Sequence, residues 1–300
     1  MKNKKSLIKK LSYWKERFTP AFLRPVVLKA WFHKCNGRTL NLDPPVTWCD
    51  KINWIKLYGV TDDMVRLSDK YLVRDWVREK LGEDKLIPLI GVWDRFEDID
   101  FSSFPDRFVL KANHASKTNI VVKDKGKFDI GEAREKFKKW MGFDFAFRFG
   151  FQMQYSPIRR RIIAEEYIEN NGNDLMDYKF HCFNGEPLCC ELIGGRAGDT
   201  RLAFFDREWN LLPYRTDAYP LYEEIPEKPD NYGELVSAAE ILSKGFPYVR
   251  VDLYRLDNGS IKFGEMTFTP SSGQCTWIPE GTDEMLGKLI ELPKLKGNGM

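Results

Sequence analysis

Tyr248-Val-Arg-Val-Asp-Leu-Tyr-Arg-Leu256, Asp257-Asn-Gly-Ser260 and Ile261-Lys-Phe-Gly-Glu-Met-Thr-Phe268 read together as one β-hairpin. Both arms are rich in aliphatic and aromatic residues. Asn-Gly at the centre of a two-residue loop is a strong hairpin signal. With Asn258 and Gly259 as that loop, Asp257 faces Ser260. Counting outward then pairs Asp252 with Glu265 and Arg250 with Thr267. Side chains two apart share a sheet face, so one face carries Arg250, Asp252, Glu265 and Thr267. Like charges directly opposite cost roughly 0.2–1 kcal/mol. A divalent cation reverses that penalty, because hard cations take carboxylate oxygens. The alternative is a solvated hairpin that tolerates the repulsion. Neutralising either acid is expected to leave the fold intact or to stabilise it.

Upstream, the pattern is β-rich with helices interposed. Phe108–Lys111 and Ile120–Lys123 read as strands around a polar, basic tip, Asn113-His-Ala-Ser-Lys-Thr-Asn119. Residues 131–141 have the spacing of an amphipathic helix. Arg161–Ile168 reads as a strand that ends in acids. Tyr178–Phe183 and Pro187–Ile193 flank Asn184-Gly185, a second hairpin, and Leu202–Phe205 with Leu211–Tyr214 suggest a third. Glu234–Lys244 reads as a helix closed by Gly245. Before all of these, residues 50–82 read as helical with Gly82 as a C-cap, and Leu86–Trp93 as a strand. This order is α+β, not a βαβ alternation. Neither G-x-G-x-x-G nor G-x-x-x-x-G-K-[ST] occurs, which disfavours Rossmann and P-loop readings.

The chain has 300 residues, 43% hydrophobic and 30% charged, enough for one large or two smaller domains with a sizeable core. It holds no run of about 18 apolar residues that would span a bilayer. A secretory signal core is lacking, so a cytoplasmic protein is expected. Six cysteines without a C-x-x-C pair and three scattered histidines argue against structural zinc and for reduced thiols.

The net charge of +3 hides an asymmetry. Residues 1–40 hold eleven basic side chains against Glu16 alone, ten net positive charges, and the remaining 260 residues are net negative by seven. Leu7, Ile8, Leu11, Trp14, Phe18, Phe22, Val26, Leu28, Trp31 and Phe32 are interleaved with those charges. One or two helices broken near Pro20 and Pro25 are expected here. Such an arm can lie on an anionic membrane surface or pack on the body. Nucleic acid is not expected as a partner, since no motif for it occurs.

Four features need one explanation: Lys111 beside a basic loop, Glu165-Glu166 at a strand end, Lys179 on a strand, and the Asp252/Glu265 pair. Lysines supply point charges for phosphate oxygens, and carboxylates hold the Mg²⁺ that bridges phosphates. A strand-to-linker crossing between two lobes can offer backbone groups to a purine edge. Together they would bind ATP without a Walker motif.

The sequence resembles the ATP-grasp superfamily, and within it the teichuronopeptide-biosynthesis (TupA-like) family. The resemblance rests on Leu67-Ser-Asp-Lys70, Phe108-Val-Leu-Lys-Ala-Asn-His-Ala-Ser116, Ile163-Ala-Glu-Glu-Tyr167, Asp177-Tyr-Lys-Phe-His-Cys-Phe-Asn-Gly185, Val249-Arg-Val-Asp252 and Gly264-Glu-Met-Thr-Phe-Thr-Pro270. It spans roughly residues 50–280. The resemblance implies the ATP-grasp fold, two α+β lobes with ATP between them, preceded by a helical N-terminal region. The expected division is a basic arm over 1–40, a helical and partly α/β region over 41–104, an N-lobe over 105–168 and a C-lobe over 169–300.

It also implies carboxylate–amine ligation through an acyl phosphate. On this resemblance Lys111 and Lys179 contact ATP phosphates, and Lys111 and Arg250 are the catalytic candidates. Ser116 and Lys117 belong to the phosphate-covering loop. Glu165, Glu166, Tyr167 and Ile168 form the adenine linker. Asp252, Glu265 and Thr267 hold Mg²⁺, and Arg250 stabilises charge developing in the transition state. Two positions depart from the pattern. Ala115-Ser-Lys-Thr118 stands where the loop is usually glycine-rich, and Thr267 where many ATP-grasp enzymes have Asn. The implied partners are a carboxylate-bearing sugar or polysaccharide, such as a uronic acid of a capsule, and a small amine. The arm would place the enzyme peripherally on the inner membrane face. The competing readings are a glycosyltransferase of a polysaccharide cluster and an inactive membrane-surface binding module.

Overall fold

The structure, a computed structural model, describes residues 12–170, 175–195 and 198–294. Its helices are α1 (Arg24–Asn36), α2 (Trp48–Tyr58), α3 (Asp62–Ser68), α4 (Val73–Leu81), α5 (Ile130–Met141), α6 (Tyr232–Ser243) and α7 (Thr282–Lys288). Its strands are β1 (Leu89–Trp93), β2 (Phe108–Ala112), β3 (Asn119–Val122), β4 (Ile162–Glu166), β5 (Asp177–Phe183), β6 (Glu186–Gly194), β7 (Arg201–Phe205), β8 (Arg215–Thr216), β9 (Tyr248–Arg255), β10 (Ile261–Thr267) and β11 (Trp277–Ile278). They form a four-stranded sheet ordered β1-β4-β2-β3, a five-stranded sheet ordered β10-β9-β5-β6-β7, and a β8–β11 ribbon. Every pair of these strands is antiparallel.

Alternation assigns the sheet faces. In β2, Phe108, Leu110 and Ala112 join Ile162 and Ala164 of β4 and Phe137 of α5 in one core. Val109, Lys111, Ile163 and Glu165 therefore share the opposite face. In β9, Val249, Val251 and Leu253 belong to the larger core with Leu235, Ala239 and Leu242 of α6. Arg250 and Asp252 then face the other way. Each sheet thus keeps one apolar face against a helix, while the opposite face of the larger sheet mixes charged residues with Tyr248, Phe183 and Phe204, buried near Trp48 and Trp277.

Local chemistry sets the element ends. Thr47 and Asp50 make a reciprocal capping box at the start of α2. Asn184 (φ 52°) and Gly185 (φ 88°) both adopt the left-handed backbone that a two-residue β5–β6 turn requires.

The opening hairpin reaches the expected pairing by a different route. Its loop has three residues, not two: the Leu256 amide bonds the Ser260 carbonyl at 2.9 Å, and Gly259 takes φ 79°. That slip pairs Arg255 with Ile261. A bulge at Gly264 then restores Asp252 opposite Glu265 and Arg250 opposite Thr267. The two one-residue departures cancel.

Other expectations are corrected. The helical run over 50–82 is three helices, interrupted at Gly59–Thr61 and at Asp69–Leu72. Pro25 does not break a helix but opens α1, where its missing N–H costs nothing. The third hairpin does not form fully: Leu211 makes only an isolated bridge with Phe205. Pro213 has no N–H to continue the ladder, Trp209 turns left-handed (φ 76°) to stack on Phe205, and the chain goes on to pair β8 with β11.

The basic arm is described from Ser12 onward. Lys2, Lys4, Lys5, Lys9 and Lys10, with Leu7, Ile8 and Leu11, lie outside the described residues. Residues 12–17 are helical. Leu28 and Phe32 are buried in the larger core, and buried Glu16 accepts a bond from the Gly150 amide at 3.0 Å. The described arm therefore packs on the body. No helix among the described residues is long and apolar enough to cross a membrane.

Candidate functional site

Two polar clusters lie close together, linked through Lys70. The first grows from the β9–β10 hairpin and its neighbour β5. Pairing sets Lys179 opposite Asp252 and His181 opposite Arg250. The Arg250 guanidinium grips Asp252 through two bonds, Nε to Oδ1 at 2.7 Å and Nη2 to Oδ2 at 2.8 Å. The same Nη2 reaches Glu265 Oε1 at 3.3 Å. The Thr267 hydroxyl donates to Glu265 Oε1 at 3.0 Å. Lys179 Nζ donates to Asp252 Oδ2 and lies 3.9 Å from Asp177 Oδ2. So the repulsion between Asp252 and Glu265 is answered here by Arg250 and Lys179. The expectation that neutralising Asp252 stabilises the fold does not survive this geometry.

Burial alone would raise the Asp252 pKa, but Arg250 and then Lys179 outweigh it and hold the carboxyl at about 2. Burial opposes the charge on Arg250, yet Asp252 and then Glu265 keep the guanidinium firmly protonated.

The second cluster lies on the four-stranded sheet. Lys111 Nζ donates to Glu165 Oε2 across the β2–β4 pair, where Val109 is the residue opposite Glu165. Lys111 and Glu165 are thus diagonal neighbours on one face. Arg74 of α4 holds the other oxygen of Glu165 at 2.9 Å, with both side chains buried.

Lys70 joins the clusters. It follows α3 in the Leu67-Ser-Asp-Lys motif. Its Nζ donates to the Ala115 carbonyl at 2.8 Å and lies 3.8 Å from Glu265 Oε2. Burial lowers its pKa, opposed by Glu265. Lys70, Arg74, Leu86, Lys111, Glu165, Phe263 and Gly264 line one cleft between the two sheets. Asn113 fixes the loop above it: its backbone carbonyl accepts from the Lys70 amide at 3.1 Å and its Oδ1 from the Arg161 amide at 2.7 Å.

The structure brings Lys179, Arg250, Asp252, Glu265 and Thr267 together, and Lys111 with Glu165. It does not bring Ser116 and Lys117 into either cluster. Both are exposed at the loop tip, Lys117 with φ 58°. Glu166 is exposed, and the Tyr167 ring lies under Arg107 and Lys123, 5.7 and 5.8 Å from its centroid. Ile168 is half-buried just beyond β4. His114 is buried against the Trp140 carbonyl at 3.2 Å, and burial lowers its pKa to about 4. Lys70 and Arg74 escaped sequence reasoning. Lys70 ends the stretch Leu67-Ser-Asp-Lys70, whose spacing alone does not mark it as a ligand. Arg74 had no signal beyond its place in a helical pattern.

Among the described residues no group of three or more His, Cys, Asp or Glu gathers as a metal cage. Of the oxygen donors expected for Mg²⁺, Asp252 is buried with both oxygens held by Arg250 and Lys179, so a cation there would have to displace those bonds. Glu265 is the open side of this set: its Oε2 meets Lys70 only at 3.8 Å, and its side chain is 34% exposed.

The family model described as TupA-like ATPgrasp matches residues 50–291. The chain matches no curated protein. Among solved structures it is similar to D-alanine–D-alanine ligase from Bacillus anthracis complexed with ATP, at 16% identity and a TM-score of 0.40, covering 68% of this chain and 54% of that one. It is also similar to an L-amino acid ligase from Bacillus licheniformis, at 14% identity and a TM-score of 0.42, covering 75% and 49%. A third is N5-carboxyaminoimidazole synthetase from Staphylococcus aureus complexed with ADP, at 14% identity and a TM-score of 0.40, covering 68% and 45%. The chain spans about half the length of these structures.

Proposed function

This chain belongs to the TupA-like ATP-grasp family, and from that premise we propose that it is an ATP-dependent carboxylate–amine ligase. The observation that carries the reading is Lys70, which lines the cleft with Lys111 and Glu165, donates to the Ala115 carbonyl and lies 3.8 Å from Glu265 of the other cluster. Lys70, Lys111 and Lys179 supply cationic charge for phosphate oxygens, which lysine binds as a point charge. Of residues 165–168, Tyr167 and Ile168 lie beyond the end of β4 and would offer backbone to the purine, whereas Glu165 and Glu166 are paired within the sheet.

In the proposed reaction a carboxylate oxygen of the acceptor attacks the γ-phosphorus of ATP and ADP leaves. The amine then attacks the acyl carbon, loses its proton, and inorganic phosphate departs as the amide forms. Asp252, Glu265 and Thr267 would hold Mg²⁺, which when bound neutralises charge on the phosphates. Arg250, fixed by Asp252, presents its guanidinium to oxygens that gain charge as the acyl centre becomes tetrahedral. Such an ordered donor costs no reorganisation at the moment of reaction.

We assign the acceptor as a sugar carboxylate, such as a hexuronic acid of a surface polysaccharide, and the amine as an amino acid or amino alcohol. This choice rests on the family. The glycosyltransferase alternative fits poorly, because nucleotide-sugar sites of the doubly wound kind need a parallel sheet. The inactive-module alternative is disfavoured by the intact Arg250–Asp252–Glu265 set.

The test is ADP release from Mg-ATP with a uronic acid and a panel of amines, alongside thermal shift. ATP at a hundredfold excess over Kd should stabilise the fold by about 2.7 kcal/mol. Equal stabilisation by a UDP-sugar and none by ATP would sink the proposal.

A further inference from the structure

The N-terminal arm presents two faces, and the second has no role in the ligase reading. Glu16, Thr19, Leu28 and Phe32 turn inward and are buried. Between them, Trp14 is 50% exposed, Phe18 74%, Phe22 78% and Val26 64%. The outward residues follow helical geometry. Trp14 and Phe18 are one turn apart with rings stacked at 5.5 Å, and Phe22 and Val26 are again one turn apart. The Phe18 amide bonds the Trp14 carbonyl at 3.0 Å, and the Leu23 amide the Pro20 carbonyl, so the backbone under this stripe is ordered. Large aromatics at such exposure are not needed to cover the core beneath, since Leu28 and Phe32 do that.

Charge identifies the occupant. Over residues 12–40 six basic side chains stand against one acid, the buried Glu16; Arg17 and Arg38 meet Asp144 and Asp283 of the body, which leaves a positive excess from the remaining four. Arg17 lies 3.7 Å from Asp144 of the body, while Lys15, Lys29 and Lys34 are exposed. A second copy of this chain is a poor partner, because a two-fold interface would set this positive surface against itself. An anionic bilayer meets both requirements. Aromatic rings partition to the headgroup region, and lysines and arginines meet anionic lipid at about 1 kcal/mol each.

We propose that Trp14, Phe18, Phe22 and Val26 form a membrane-docking edge that inserts into the interface of an anionic phospholipid bilayer, with Lys15, Lys29 and Lys34 against the headgroups. The docking is peripheral and reversible. It keeps Leu28 and Phe32 in the core and does not depend on what the cleft catalyses.

The test uses the full chain and vesicles of phosphatidylcholine, alone or mixed with phosphatidylglycerol. The intact protein should sediment with the mixed vesicles, release as salt rises, and shift its tryptophan emission to the blue on binding. The triple variant Trp14→Ser, Phe18→Ser, Phe22→Ser should keep its Tm, because the removed rings are exposed, and bind at least about tenfold more weakly. Lys15→Glu with Lys29→Glu should weaken binding on phosphatidylglycerol alone. The proposal is overturned if the intact chain stays in the supernatant, if the folded triple variant binds as the parent does, or if duplex DNA is retained while vesicles are not.

Discussion

Asp252→Asn removes a charge that two buried cations share. Asp252 is 2% exposed and bridges Arg250 and Lys179. Its carboxyl is held at about 2, below its ordinary 3.8. A pKa lowered on folding contributes stability above the unfolded value and loses it as pH falls through the folded one. That difference corresponds to roughly 2–3 kcal/mol at neutral pH. Breaking a buried pair by removing one partner costs about 3–5 kcal/mol, because the remaining charges lose compensation. Relief of repulsion with Glu265 returns only about 0.2–1 kcal/mol. The net expectation is a loss of about 2–5 kcal/mol. Urea unfolding at pH 7 without nucleotide should show a lower midpoint at unchanged slope. The deficit should stay level down to about pH 4 and shrink below it. Glu265→Gln is the control: its carboxylate is 34% exposed and meets Arg250 at 3.3 Å, so its loss should cost under about 1 kcal/mol. An Asp252→Asn protein as stable as the parent, or more so, would refute this reasoning and show that repulsion from Glu265 outweighs the attraction of Arg250 and Lys179.

Arg250→Lys loses the two-pronged grip on Asp252 and should lower kcat about 10²–10³-fold with little change in ATP affinity; an effect confined to the KM for ATP would move Arg250 to nucleotide binding. Lys70→Met removes a cation whose charge burial already disfavours, so the fold should hold while ATP binds about ten- to a hundredfold more weakly by calorimetry. Glu16→Gln addresses the arm. Burial raises the Glu16 pKa to about 7, so its contribution to stability is present below about pH 4.5 and lost as pH rises through 7. The Gln variant keeps an acceptor for Gly150 and should match the parent at low pH and exceed it in Tm by pH 8; a constant difference across that range would show that Glu16 is not titrating there.

What the sequence determined by itself was local. Strand patterning put Lys111 and Glu165 on strands, and Asn-Gly marked both turns. The hairpin count put Asp252 opposite Glu265, although the loop is one residue longer than read and the Gly264 bulge makes up the difference. The tertiary structure decided what those acids meet. Lys179 lies opposite Asp252 through the β5–β9 pairing, which joins residues 73 apart. Arg74 reaches Glu165 across 91 residues, and Lys70 meets Ala115 across 45. Turn chemistry and side-chain period act over a few residues and are written in adjacent letters. Which strand edge docks on which, and which cation then fills the space beside a buried carboxylate, depends on burying apolar faces that lie far apart in the chain.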